Sequence, residues 1–136
     1  MFLNAWVKEE IYIYLSEGHQ IPGMCGCLLQ TIYGLKQSGR EWFLLFMAFL
    51  LSIGFTQSKA DHSIFYKHQL YVLVYVDDIL LLAVNTTLIK DFLSELSRKF
   101  KYTNNGLVTH FLSMDVELTD NSIYLHQKTY IQDCLH

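Results

Sequence analysis

Two adjacent aspartates, Asp77 and Asp78, stand between two apolar runs, Leu70 to Val76 and Ile79 to Val84. Paired carboxylates held rigidly at the tip of a hairpin can bind Mg²⁺ through oxygen ligands beside bound phosphates. Two-metal phosphoryl transfer uses such a clamp on the attacking and leaving oxygens. The alternative is an ordinary solvated turn, because aspartate is a favoured turn residue. The acid pair by itself leaves both interpretations open.

The runs beside the aspartates must be strands if the pair is to lie in a turn. Tyr, Val and Ile are frequent in them, which favours strand over helix. A single helix would place both carboxylates in the middle of an apolar rod, at a heavy desolvation cost. The sequence therefore predicts a β-hairpin from Leu70 to Val84.

The remaining segments supply helices and further strands. Glu41 to Ile53 is apolar nearly all round and is followed by Gly54, which predicts a buried helix. Ile89 to Phe100 has apolar residues at helical spacing, preceded by three candidate caps, Asn85, Thr86 and Thr87. A half-buried strand, a returning strand and a last helix are predicted at Leu112 to Leu118, Ile123 to Leu125 and Lys128 to Leu135. This order predicts an α+β domain with helices packed on an antiparallel sheet.

The composition fits one modest domain inside the cell. The 136 residues are 51% hydrophobic and 15% aromatic, which excludes a disordered segment, and the net charge of −3 gives no bulk basic field. Three cysteines cannot all pair and have no second Cys/His cluster that would complete a zinc site. The apolar helix is shorter than the roughly 18 residues of a membrane span, and no secretory signal pattern begins the chain. We therefore expect reduced thiols and no membrane partner.

Several segments resemble, in order, the sequence blocks of copia-type retrotransposon reverse transcriptases. Tyr75 to Asp78 (YVDD) resembles the catalytic box of that family, and Ile32 to Arg40 (IYGLKQSGR), followed by Trp42, is similar to its LYGLKQSPRAW block. Phe111 to Val116 (FLSMDV) is similar to its FLGIEV segment. Further similarities lie at Phe2 to Asn4, Glu9 to Ile13 and Leu125 to Leu135. The resemblance implies a reverse-transcriptase palm-like antiparallel sheet with packed helices, covering residues 1–136, with the start of the thumb connection near the C-terminus.

The resemblance also implies a role for each matching position. Asp77 and Asp78 match the catalytic, metal-binding pair, for which the complete enzyme uses two Mg²⁺ ions. The positions implied to bind the incoming dNTP and template are Phe2, Lys36, Gln37 and Tyr75. Those implied to contact the primer are Phe111, Leu112 and Ser113. Plainer alternatives stay open: Phe2 as a core residue, Lys36 as solvated charge, and Phe111 to Asp115 as a packed sheet edge.

Some positions depart from the family pattern. The family's first catalytic aspartate, in its DVxxAF motif, would lie just before Met1, and we expect the fingers, thumb and ribonuclease H regions to be missing. Gly39 stands where the family has proline, and Ala5 and Ser113 stand where it has glycine. Those two glycine losses matter most if the positions have positive φ. Together the departures predict a degenerate element.

Two functions remain in competition. The first is a fragment of an RNA-directed DNA polymerase, inactive alone, whose partners are an RNA or DNA template-primer, dNTP and the remaining Pol regions. The second is a non-catalytic transposon relic with at most nucleic-acid binding. An unrelated membrane or interaction protein is disfavoured by the ordered motif blocks. An intracellular location is expected. For the complete proteins of the family, the resemblance implies the cytoplasm or virus-like particles, and it leaves the compartment of this fragment open.

Overall fold

A computed structural model describes residues 6–7, 9–32, 34–35, 37–119 and 121–135. The chain divides into two compact units, of which the first ends at Tyr102 and the second begins at Thr103. Each unit combines helix with antiparallel sheet, which confirms the predicted α+β class. No helix in the described part is both long and apolar enough to cross a membrane.

The first unit begins with a short two-stranded ribbon. Strands β1 (Tyr12–Ile13) and β2 (Gly26–Cys27) pair antiparallel, and an isolated bridge joins Trp6 to Gln30. Val7 donates its amide to the carbonyl of Leu29, which extends the pairing beyond the two strands. This ribbon lies outside the elements that the sequence predicted.

Helix α1 (Ser38–Ser52) follows, and it ends one residue before the predicted Ile53, which is its C-cap. Gly54 has a φ of +88°, a conformation that suits glycine, and its amide donates to the carbonyl of Leu51. The helix begins earlier than the predicted Glu41 because Ser38 to Arg40, although polar, form its first turn.

The main sheet of this unit has four antiparallel strands in chain order. They are β3 (Thr56–Gln57), β4 (Ile64–Lys67), β5 (Leu70–Tyr75) and β6 (Asp78–Ala83). The predicted hairpin from Leu70 to Val84 is confirmed as β5 and β6. Leu70, Val72 and Val74 alternate with exposed or half-buried residues, so one face of the sheet lies on the core.

Helix α2 (Thr86–Ser97) completes the first unit. Asn85, one of the predicted caps, accepts a hydrogen bond at its Oδ1 from the amide of Thr87 at 2.8 Å. The core under the sheet is strongly aromatic, and its largest members are Trp42, Phe46, Phe49, Phe55, Phe65, Phe92 and Phe100. Because large rings bury much apolar area, this set contributes strongly to the hydrophobic stabilisation of the unit.

The second unit is a three-stranded antiparallel sheet with one helix. Its elements are β7 (His110–Phe111), β8 (Met114–Leu118), β9 (Ile123–His126) and α3 (Lys128–Cys134). The returning strand and last helix are confirmed, but the single strand predicted from Leu112 is wrong at its start. Leu112 and Ser113 form a turn, because β7 pairs back onto β8 through Phe111 and Met114.

Candidate active site at the β5–β6 turn

The two strands of the hairpin end at the pair Tyr75 and Asp78, so the connecting turn consists of Val76 and Asp77. The sequence pattern places Asp77 and Asp78 between strands ending at Val76 and beginning at Ile79, which is wrong by one residue. Asp78 is the first residue of β6 and is exposed, whereas Asp77 lies in the turn and is half-buried. The two carboxylates therefore stand at the tip, in different degrees of contact with solvent.

Cross-strand pairing fixes the sheet face that each side chain shares. Val74 pairs with Ile79 and is buried, so this pair faces the core. The next pair, Tyr75 and Asp78, must face the opposite side because successive residues alternate. Tyr75 is 52% exposed there. The structure thus brings Tyr75, a predicted substrate residue, to the same solvent-facing surface as Asp78.

Val76 has an unusual backbone conformation. Its φ is 50°, while Asp77 is not among the described residues with positive φ. Positive φ at the first turn position alone is the pattern of a type II′ turn, which favours glycine at that position. A β-branched residue with positive φ is a genuine outlier. Such strain persists only where surrounding structure holds it.

A hydrogen bond from helix α1 reaches this turn. The indole Nε1 of Trp42 donates to the carbonyl oxygen of Val76 at 2.7 Å. Trp42 is 1% exposed and its ring contacts Phe46 and Phe100, with centroids 5.2 and 5.4 Å away. In the sequence, Trp42 is one residue of a family motif, and the sequence does not predict its hydrogen bond to the turn formed by Val76 and Asp77.

Gln37 lies immediately before α1. Its backbone is helical, with a φ of −84°, and its side-chain Nε2 donates to Glu9 Oε2 at 3.0 Å. Ser38 is fully buried and donates from Oγ to the carbonyl of Ile32, which folds the loop back on the helix start. Gly34 has a φ of +93°, and a Cβ added to it would meet nothing within 4 Å, so its backbone conformation is the reason for glycine there.

Two predicted substrate residues, Phe2 and Lys36, lie outside the described residues, as does Ala5. The predicted roles of Phe2, Lys36, Gln37 and Tyr75 stay predictions.

The predicted primer-contacting residues form the β7–β8 hairpin of the second unit. Leu112 and Ser113 have φ values of 51° and 64°, the pattern of a type I′ turn. Such a turn strongly favours Asn-Gly or a related pair, so Leu-Ser is an unfavourable sequence for it. Phe111 is half-buried and Leu112 is exposed. The positive φ that would make the loss of glycine costly is therefore present at Ser113.

A polar cluster centred on Asp115 is not predicted from the sequence. Asp115 is only 7% exposed; it accepts from the amide and the hydroxyl of Thr129 at 3.0 and 2.9 Å. His110 Nε2 lies 2.6 Å from Asp115 Oδ1, and His126 Nδ1 lies 3.3 Å from Oδ2. The alternating pattern predicts that Asp115 lies on the polar, solvent-facing side of a half-buried strand. That prediction is wrong, because Asp115 is buried.

These contacts act on the ionisation of Asp115. The Thr129 amide lowers the pKa of this carboxyl below its ordinary 3.8 against the opposing effect of desolvation, and the Thr129 hydroxyl, His110 and His126 lower it further. The carboxylate is therefore held charged, and it joins β8 to the first turn of α3.

Asp77 and Asp78 have the right chemistry for a hard divalent cation. Carboxylate oxygens are the preferred ligands of Mg²⁺, which is commonly bound through one or two carboxylates together with substrate phosphates. In the part of the chain that the structure describes, no group of three or more His, Cys, Asp or Glu side chains could hold a metal ion. The acid pair fits as two ligands of such a site rather than as a whole cage.

Comparison with known proteins agrees with the turn chemistry. A family model described as reverse transcriptase (RNA-dependent DNA polymerase) matches residues 1–136. The chain belongs to this reverse transcriptase family. The resemblance to copia-type reverse transcriptases in the motif blocks is thereby confirmed.

Pol polyproteins of transposons are among the curated proteins that are similar to this chain. The chain is 33% identical, over 141 residues, to the retrovirus-related Pol polyproteins from transposons RE1 and RE2 of Arabidopsis thaliana, covering 98% of this chain and 10% of each polyprotein. It is 31% identical over 144 residues to the one from transposon TNT 1-94 of Nicotiana tabacum, covering 98% of this chain and 11% of the polyprotein. The chain thus spans about a tenth of these relatives. No solved structure matches it.

Proposed function

We propose that this reverse transcriptase chain forms part of a polymerase palm, in which Asp77 and Asp78 are metal ligands for RNA-directed DNA synthesis. The β5–β6 turn supports the proposal. Its tip carries two adjacent carboxylates, one of them exposed beside Tyr75, on strands anchored in an aromatic core. Rigid support of this kind is what a metal-binding pair needs in order to meet a phosphate in one geometry.

Each predicted residue has a part in this reaction. Divalent ions, when bound, would activate the attacking 3′-oxygen and neutralise the leaving pyrophosphate. Asp77 and Asp78 would hold those ions through their carboxylate oxygens. Tyr75, on the same exposed face as Asp78, would border the nucleotide, and Phe2, Lys36 and Gln37 would contact dNTP or template. Phe111, Leu112 and Ser113 would contact the primer end.

Metal binding tests the proposal directly. Mn²⁺ titrated into the 136-residue chain should broaden the amide NMR signals of Tyr75 to Ile79 before any others, because a paramagnetic ion acts on nearby nuclei. Asp77→Asn and Asp78→Asn should each reduce the broadening. Asp91→Asn, the same change at an exposed position of α2, is the matched control and should leave it unchanged. Equal broadening in all three variants would count against the metal site.

Primer extension tests the activity. The 136 residues, assayed with a primed RNA template and Mg²⁺ or Mn²⁺, should show no templated incorporation, because two adjacent aspartates cannot bridge both ions and the nucleotide phosphates. A third carboxylate from another strand is needed. Incorporation that disappears in Asp77→Asn would overturn the predicted inactivity while supporting the assigned catalytic pair.

A degenerate, non-catalytic element is the second candidate, and Ser113 favours it. The family has glycine at this position, and here serine occupies a φ of 64°. Sequencing the genomic DNA and transcript on both sides of the reading frame separates the two candidates. In-frame codons for DVxxA directly upstream, with thumb and ribonuclease H coding downstream, would indicate a gene that encodes the complete polymerase, whereas stop codons there would indicate a relic.

A further inference from the structure

The geometry points to Trp42 as a positioning residue that sets the orientation of the turn carrying Asp77. The positioning of the turn does not depend on the proposed function. Only an effect of Trp42 on metal binding rests on that function. The hydrogen bond from Trp42 Nε1 goes to the carbonyl of Val76, which belongs to the central peptide of the turn. Because this carbonyl belongs to the central peptide, the hydrogen bond can fix the orientation of that peptide.

Flipping the central peptide converts a type II′ turn into a type I′ turn, since the two differ mainly in the dihedrals on either side of that peptide. The flip would turn the Val76 carbonyl away from Trp42 and give Asp77 a positive φ. Aspartate tolerates that conformation better than most residues. The sequence therefore leaves both turns open, and the Asp77 carboxylate would occupy a different place in each.

The residues of the turn do not favour the orientation observed. Type II′ turns prefer glycine where Val76 lies, and β-branched residues are disfavoured at positive φ. A preference for this orientation must therefore come from outside the turn. The Trp42 indole is the group that supplies it, because its Nε1 lies 2.7 Å from the carbonyl oxygen that a flip would move.

Trp42 is well placed to act as a fixed donor. Its ring is 1% exposed and packs against Phe46 and edge-on against Phe100. The helix and the aromatic core therefore fix the direction of the N–H bond. A donor fixed in this way selects one orientation of its acceptor and loses little entropy on bonding.

The first experiment replaces the donor and keeps an aromatic ring. In Trp42→Phe, the nuclear Overhauser effect between Val76 Hα and the Asp77 amide should change, because its strength depends on the orientation of that peptide. The population of the flipped turn should rise by about 2- to 13-fold, the factor that corresponds to the roughly 0.5–1.5 kcal/mol of one hydrogen bond. Trp6→Phe is the matched control, since Trp6 is 67% exposed and is the other tryptophan of the chain. Unchanged turn signals in a folded Trp42→Phe chain would overturn the inference.

A second variant separates positioning from simple loss of core packing. Glycine favours the first position of a type II′ turn, so adding Val76→Gly to Trp42→Phe should restore the wild-type turn signals. Damage to the aromatic core cannot be repaired by a glycine in an exposed turn. Failure of the double variant to recover the turn would assign Trp42 to packing alone.

The wild-type chain gives a test that needs no variant. A hydrogen bond of this length should produce a measurable scalar coupling between indole ¹⁵Nε1 of Trp42 and the ¹³C carbonyl of Val76. Its absence, with both signals assigned, would overturn the inference even if Trp42→Phe failed to fold. Mn²⁺ broadening is read separately, so a turn that Trp42 controls but that binds no metal would refute the proposed function and leave the role of Trp42 standing.

Discussion

Ser113 shows how one side chain can weaken a β-hairpin, here the turn between β7 and β8. Its φ of 64° places Cβ close to backbone atoms, which costs an L-residue roughly 1 kcal/mol compared with glycine. We predict that Ser113→Gly raises the free energy of unfolding of the second unit by about that amount. Urea denaturation followed by NMR signals of β7 to β9 measures it. The same change at exposed Ser122, whose φ is not positive, should stabilise nothing, and equal gains at both sites would contradict the explanation.

Asp115 makes the second unit sensitive to acid. Its folded pKa is depressed, so its contribution to stability is present above the ordinary value of 3.8 and is lost as the pH falls through the folded pKa. We predict that α3 loosens from β8 below about pH 4. A pH titration of the Thr129 amide signal, which reports the bond to Asp115, is the measurement.

Asp115→Asn should remove this transition and destabilise the unit at neutral pH, because a neutral amide accepts the Thr129 bonds less strongly. Asp133→Asn, on the exposed surface of α3, is the control. If Asp115 causes the acid transition, this variant should still show it. A transition that survives Asp115→Asn would point to another group.

The limits of prediction at the residue scale have a physical basis. The adjacency of Asp77 and Asp78 is visible in the sequence, whereas the positive φ at Val76 is not, because valine gives no signal for it. The burial of Asp115 depends on Thr129 and His126, which lie on the next helix and across the sheet. An alternating pattern records only whether a residue is polar and does not reveal a polar partner elsewhere in the chain.

At the scale of elements, two glycines of the α1 region should respond oppositely to the same substitution. Gly39 is the second residue of α1, and alanine is favoured over glycine by roughly 0.5–1 kcal/mol in a helix interior, so Gly39→Ala should stabilise the first unit by no more than about that amount. Gly54 has a φ of +88°, and the nearest atom to an added Cβ is Lys67 Nζ at an ordinary 3.5 Å. Gly54→Ala should therefore destabilise through backbone strain rather than through a clash.

Thermal unfolding of the two variants, each compared with wild type, measures the difference. A higher melting temperature for Gly54→Ala would mean that the backbone conformation of Gly54 is not what ends the helix. A lower melting temperature for Gly39→Ala would contradict the gain predicted within the helix.

Elements with long periodic patterns were predictable, whereas several short strands were not. The α1 and α2 helices and the β5–β6 hairpin follow from apolar spacing that spans many residues. Strands β3 and β4 are short, and their segment gives no comparable periodicity. Strand β4 forms because β5 offers it a partner, with Phe65 opposite Val72 on the core side, and β3 then pairs with β4. The formation of these strands therefore depends on tertiary contacts, which the local sequence pattern does not reveal.

At the scale of the whole molecule, the outer face of the main sheet should govern solubility. Tyr66, Tyr71, Tyr75 and Leu82 are exposed on it, and the ring centroids of Tyr66 and Tyr71 are 6.4 Å apart. A contiguous apolar patch of this kind promotes association. We predict that Tyr71→Lys shifts the chain toward monomer in size-exclusion chromatography with light scattering.

Ser94→Lys adds the same charge at an exposed position of α2 and serves as the control. If it had an equal effect, association would depend on net charge rather than on the tyrosine face. A wild-type chain that is already monomeric at high concentration would contradict the prediction itself.

The contrast between the two tryptophans gives the chain its own optical reporter. Trp6 is largely exposed, whereas Trp42 is buried in the core and donates its indole N–H to the carbonyl of Val76, in the turn that carries Asp77. In a Trp6→Phe chain all indole fluorescence would therefore come from a ring in contact with that turn. Quenching by Mn²⁺, or a spectral shift when Asp77 is exchanged, could then be followed at micromolar concentration without any label.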